Sequence, residues 1–267
     1  MTLFKPTIFI FVATAYGHDM WIEPATFHPQ PGQMVGIKLR VGQEVIGDPI
    51  PRSTGLINQF IVVDGEGRKP VVGREGSDPA GYIRTAAPGM SVVGYRSNAS
   101  IVELGAEKFN AYLKEEGLES ILALRAKNKQ LNLKVNEHFF RCAKSLVLTG
   151  APAQGQMDKI LGFPLELVAG KNPYLLRSGE ELPLLLTYEN RPMAGVLVVA
   201  MHRLQPEAKQ TARTDKDGRV RLKLGPTGLW LIKAVHMVPA AANSGADYDS
   251  YWASVTFETK AAYTQRN

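Results

Sequence analysis

Three observations predict a mainly β fold. Short apolar stretches bounded by Gly, Pro, Asn and Asp recur along most of the chain, helical spacing occurs in one region only, and the composition is that of a packed globular protein, 45% hydrophobic and 21% charged over 267 residues. Together they predict two β-sandwich domains of immunoglobulin-like kind, residues 18–155 and 160–260, the first with an inserted helical hairpin near 104–126.

In chain order, residues 1–17 read as a secretory signal peptide. Lys5 supplies the positive charge, Ile8 to Ala15 form a short apolar core, and small residues follow. In the first domain, Pro29-Gln30-Pro31-Gly32 precedes a strand from Met34 to Val41. Gln59 to Val63 runs into the turn Asp64-Gly65-Glu66-Gly67, and Ala87-Pro88-Gly89 introduces a strand from Ser91 to Tyr95. The period then changes: Phe109, Tyr112 and Leu113 recur at helical spacing up to Gly117, and Leu118, Ile121, Leu122 and Arg125 suggest a second short helix. Phe139 to Leu148 returns to strand character and closes the domain near Thr149-Gly150-Ala151-Pro152.

The second domain begins around Leu165. Leu182 to Tyr188 and Val196 to Arg203 read as strands joined through Asn190 to Gly195. Thr211 to Thr214 and Arg219 to Leu224 read as a hairpin about Asp215-Lys216-Asp217-Gly218, because Asp-Gly supplies the positive φ that tight turns require. Leu229 to Val238 and Tyr251 to Thr259 complete the set.

The formal charge is +6, or +5 once Lys5 leaves with the leader. The densest basic run, Arg125, Lys127, Lys129, Lys134, Arg141 and Lys144, lacks aromatic interleaving and reads as a solvated face, so no nucleic-acid partner is expected. Past the leader no segment is apolar for long enough to span a bilayer, and the mature form is expected to carry no membrane span. The single cysteine, Cys142, rules out an intramolecular disulfide and thiolate-rich metal centres; it reads as a buried hydrophobe. Hydrolase elbows, phosphate loops, dinucleotide fingerprints and His-Glu-x-x-His are absent. Neither catalytic residues nor an organic cofactor is expected.

His18 is the most informative candidate ligand. Cleavage after Gly17 makes it the first residue, with α-amine and imidazole together; cleavage after Ala15 makes it the third residue of a planar amine, amide and imidazole set. Both sets suit Cu(II) or Ni(II). The competing reading is an exposed polar residue at a frayed end. A first-position histidine needs one further histidine for a three-nitrogen clamp. His236, late in its strand on the face of Trp230, Ile232 and Ala234, is the candidate, whereas His202 reads as a core histidine satisfied by a carbonyl. Met20 faces the same way as His18 in an extended segment. Asp247 and Asp249 offer oxygen ligands, or an acceptor that orients a histidine ring.

Several segments resemble one family, the exported DUF4198 proteins, described as NikM-like periplasmic components associated with nickel or cobalt uptake. They are His18-Asp19-Met20-Trp21-Ile22-Glu23-Pro24, Phe109 to Leu118, Arg141-Cys142-Ala143-Lys144-Ser145, Pro164 to Val168 with Asn172-Pro173-Tyr174, and Trp230 to Met237 with Tyr251 to Glu258. The resemblance implies a periplasmic or secreted β protein that binds a divalent transition metal (Ni, Co or Cu) and passes it to a membrane transporter subunit. The alternative is a non-catalytic carrier or adhesion module for a protein or glycan. A copper oxygenase is a third class, and the sequence shows no extended aromatic substrate platform for one.

Overall fold

A computed structural model describes residues 18–85 and 87–260; the signal peptide expected over residues 1–17, with its two expected cleavage points, lies outside them. The N-terminal half runs β1 (Asp19–Pro24), β2 (Met34–Gln43), β3 (Ile46–Ile50), β4 (Ile57–Asp64), β5 (Gly67–Pro70), β6 (Gly81–Arg84), β7 (Gly89–Ser97), β8 (Ser100–Leu104), α1 (Ala106–Glu115), α2 (Glu119–Lys127) and β9 (Val135–Thr149). The C-terminal half runs β10 (Leu165–Ala169), β11 (Glu181–Tyr188), β12 (Arg191–Pro192), β13 (Leu197–His202), β14 (Gln205–Arg213), β15 (Arg219–Lys223), β16 (Gly228–Pro239) and β17 (Tyr248–Thr259).

The fold is mainly β and its sheets pack as sandwiches, as the alternation predicts. Both halves contribute to one nine-stranded sheet, ordered β14-β13-β16-β17-β9-β7-β4-β5 with β8 also on β9. The join is the parallel pairing of β17 with β9, from Tyr248 opposite Glu137 to Thr256 opposite Ser145.

Side chains alternate between faces along a strand, so each long strand feeds two cores. On β9, Cys142 and Leu146 enter a core with Leu165, Leu167, Leu184 and Val220 of the sheet formed by β10, β11, β12 and β15. Ala143 and Val147 enter the opposite core, with Met20, Ile22, Val35 and Ile37 of the sheet formed by β1, β2, β3 and β6. The two small sheets therefore cover opposite faces of the large one. The helical hairpin shares the β1 side: Phe109, Leu113 and Ile121 pack with Val235, Met237 and Trp252. Gly117 ends α1 at φ 70°, and a Cβ there would meet Leu197 Cβ at 2.6 Å, so both backbone conformation and close approach call for glycine.

Two expectations are corrected. The Asp215–Gly218 turn forms, with Gly218 N–H donating to Asp215 O at 3.0 Å, but it does not make a hairpin. β14 pairs with β13 and β15 pairs with β11, so the turn carries the chain from one sheet to the other. The basic run is not a uniformly solvated face: Lys127, Lys129 and Lys134 are exposed, whereas Arg125, Arg141 and Lys144 are buried. Arg125 is satisfied by the carbonyls of Gln130 and Leu133 at 2.7 and 2.9 Å and lies over the Phe109 ring. Cys142 is buried as expected, and burial pushes its thiol up to about 12.

Gly94 of β7 stands where the linker before β10 crosses the sheet. A Cβ there would fall 2.2 Å from Leu161 Cδ1 and 2.9 Å from Phe163 Cζ. Gly94→Ala is expected to destabilise the protein by about 1–3 kcal/mol through overpacking. A shift of the urea midpoint measures this; an unchanged midpoint would show that the linker does not pack there.

Candidate functional site

Almost every residue of strand β1 is anchored. Trp21 is fully buried between Val199, Met201 and Leu231, and its indole donates to Glu23 at 3.1 Å. Ser254 Oγ donates to Met20 O at 2.8 Å and Thr256 Oγ1 to Ile22 O at 2.7 Å, so β17 grips the β1 backbone from below. Asp19 is 6% exposed, and its Oδ1 lies 2.7 Å from Lys233 Nζ, which lies at the same distance from Glu116 Oε1. Burial opposes a charge on Lys233, but these two carboxylates outweigh it and raise its pKa, while burial raises that of Glu116.

This ion cluster continues into a polar network around Trp252. Glu137 accepts from Tyr112 OH at 3.1 Å and from Ser250 Oγ, and the Trp252 indole donates to Ser250 at 3.1 Å. The Arg141 guanidinium lies 4.7 Å from the centre of the Trp252 ring. Burial pushes the Glu137 carboxyl up. None of these groups was legible as a cluster, because they come from β1, α1, β9, β16 and β17 and no motif joins them.

His18, half-buried, precedes this anchor by one residue. Asp19, the residue after it, lines a cavity of about 220 Å³ whose walls also include Glu44, Glu115, Met201, Lys209 and Lys233. Its three carboxylates exceed its two ammonium groups by one, which favours a cation. Glu44 pairs with Lys209 at 3.4 Å and remains 40% exposed.

The other candidate residues lie elsewhere. Met20 is buried in the core between β1 and the large sheet. His236 is on the face of Trp230 and Ile232, opposite to that of Lys233, and packs edge-on against Tyr188 of β11 at 4.6 Å. Burial lowers its pKa. Asp19 and His236 thus belong to opposite sides of one sheet, and the structure does not bring His18 and His236 together. Asp247 Oδ2 accepts from the Asn136 N–H at 2.8 Å. Asp249 Oδ1 meets His138 Nδ1 at 3.2 Å, so this carboxylate orients a histidine ring, that of His138. His202 is buried, with Nε2 3.1 Å from Thr227 O, the core role expected of it. Among the described residues, no three His, Cys, Asp or Glu side chains converge as a ligand group.

The His236 face carries an aromatic ribbon that the separate strands concealed. Phe140 stacks on Tyr251 at 4.9 Å, Tyr251 contacts Tyr188 at 5.2 Å, and Tyr188 contacts His236. All four are partly exposed.

A search of curated proteins found no match. Among solved structures, the chain is similar to a tetra-tandem repeat in the extending region of a large adhesion protein, with 11% identity over 90% of this chain and 49% of that one, at a TM-score of 0.21. It is also similar to the D0-D1 domain of intimin, with 12% identity over 88% and 96% of the two chains, and to the Yersinia pseudotuberculosis adhesin InvE, with 12% identity over 91% and 59%, each at a TM-score of 0.21. The chain spans about half the length of the first of these. The family model described as a domain of unknown function, DUF4198, matches residues 15–238, and the chain belongs to that family.

Proposed function

We propose that this is an exported protein that binds a divalent transition metal as cargo at its processed N-terminus. The observation that carries the proposal is the anchoring of β1. Asp19 is ion-paired to Lys233 and Trp21 is fully buried, so the chain is fixed from the residue directly after His18, which supports a held position for residue 18 over a frayed tail. Cleavage after Gly17 would then leave an α-amine and an imidazole on a rigid support, one residue before Asp19, which lines a cavity together with Glu44 and Glu115. Those nitrogen donors suit Ni(II), Co(II) or Cu(II). His236 is no longer in the ligand set, nor are Asp247 and Asp249, because they stand on other parts of the sheet. Delivery to a membrane transporter subunit is the role that family resemblance implies for such a cargo.

In the processed protein, His18→Ala is expected to weaken Ni(II) or Cu(II) binding by more than about 100-fold, as loss of a direct ligand should exceed the loss of a supporting contact. Titration calorimetry with each metal measures this, and unchanged affinity would reject the site. His236→Ala is expected to leave affinity unchanged. Affinity should fall as pH is lowered, since amine and imidazole bind metal only after losing their protons; pH-independent binding would point to carboxylates alone.

The aromatic ribbon favours a second function, non-catalytic binding of a glycan or protein. Stacked, partly exposed rings on a flat sheet give contact area at low entropic cost. Binding to immobilised glycans that survives chelator and is lost in Tyr188→Ala would support it, and binding abolished by chelator would not.

A further inference from the structure

Lys144, on β9, is a deeply buried cation outside the site, with 1% of its side chain exposed. Its Nζ lies 2.8 Å from Asp158 Oδ1 and 3.1 Å from Glu166 Oε1, two carboxylates whose side chains are 0% and 1% exposed. Nζ also donates to the carbonyls of Lys159 at 2.9 Å and Leu167 at 3.2 Å. Asp158 comes from the linker between β9 and β10, and Glu166 from β10. All three side chains are shut off from solvent.

The two carboxylates are held differently. Glu166 accepts three backbone N–H groups, from Leu161 at 2.7 Å, Gly162 at 2.9 Å and Phe163 at 3.2 Å. Asp158 accepts one on each oxygen, from Lys159 at 2.7 Å and Ala169 at 2.9 Å. Glu166 is thus the carboxylate with more backbone donors. Asp158 is the one with fewer donors, and burial pushes its carboxyl up despite the neighbouring ammonium.

An amine held against a carboxyl group in a dry pocket is also the arrangement from which an amide forms. We propose that Lys144 and Asp158 become joined by an amide bond between Lys144 Nζ and Asp158 Cγ, with Glu166 as the proton carrier. Proton transfer from the ammonium to Asp158 leaves a neutral amine and a carboxylic acid. The nitrogen lone pair then forms the N–Cγ bond. The oxygen that gains charge is held by the Ala169 N–H, as backbone donors hold other tetrahedral intermediates. Glu166 takes a proton from the nitrogen and returns it to the departing hydroxyl; the Cγ–O bond breaks and one water leaves. Nothing is oxidised or reduced, and Glu166 ends as the carboxylate it was, now accepting from the amide N–H.

Physical terms favour the step here more than in water. Two opposite charges that burial has stripped of solvent disappear into a neutral amide. The fixed contact is equivalent to an effective concentration of about 10⁵ M or more for well-aligned groups. Exclusion of bulk water then protects the product from hydrolysis. The bond would staple the large sheet to the linker that leads into the β10 sheet, a covalent cross-link in a chain whose single cysteine permits no disulfide.

Mass spectrometry of the denatured full chain, with its N-terminus read from the same sample, tests this. The wild type is expected about 18 Da below the mass of its sequence, the loss of one water, and its digest should contain a branched peptide linking Lys144 to Asp158. Full mass, with Lys144 and Asp158 in separate linear peptides, would overturn the bond whatever any variant does. Glu166→Gln is expected to show full mass with its β circular dichroism retained; if it keeps the deficit, Glu166 is not the proton carrier.

Discussion

Strand β9 is fifteen residues long and buries something different on each side. Its alternating side chains lie in two cores at once, with Cys142, Lys144 and Leu146 toward the β10 sheet and Ala143, Ser145 and Val147 toward the β1 sheet. Its backbone pairs with β7 and β8 on one flank and, in parallel, with β17 on the other. Every layer of the molecule is therefore referred to one strand. The position of His18 follows from the same constraint, because the hydroxyls of Ser254 and Thr256 that hold β1 are on β17, in register with Ala143 and Ser145.

Asp19, Lys233 and Glu116 form one buried cluster, and Lys144, Asp158 and Glu166 another, one on each face of the large sheet. Buried ion pairs add little net stability over apolar replacements, but removing one partner typically costs about 3–5 kcal/mol because the other charge is left stranded. Such pairs fix geometry. The first cluster ties β1 to the end of α1 and to β16, where the processed terminus would emerge. The second ties the linker onto the sheet, where Gly94 leaves room for it.

Local structure was legible in the sequence where local chemistry decides it. The strands follow from alternation and turn residues, and the hairpin from Phe109, Tyr112 and Leu113 with Gly117 behind them. The face of His236 was correctly given by Trp230 and Ile232. What was not legible is which elements meet. β9 and β17 pair across more than a hundred residues, and nothing in Glu137 or Tyr248 announces the other. The turn at Asp215 to Gly218 has hairpin chemistry, yet its two strands find better partners in different sheets. Lys144 sits in a basic run, where solvation is the ordinary outcome; its burial depends on Asp158, which lies in a polar linker with no periodicity. For the candidate site, His18 could be singled out from the chain, but the burial of Asp19, Met20 and Trp21 behind it could not, because it depends on the strands that cover them. That β1 covers the face opposite His236 could not, and that decides against a clamp using both.

The account stands or falls on the large sheet acting as one body that both halves share. Native-state hydrogen exchange of the β7, β9, β16 and β17 amides across a denaturant series measures this most directly. The account predicts that these strands form the slowest-exchanging class and lose protection together, at the free energy of global unfolding. Loss of protection in β7 and β9 at a denaturant concentration where β16 and β17 remain protected would contradict it, since two independently opening halves could not hold β1 in place through β17.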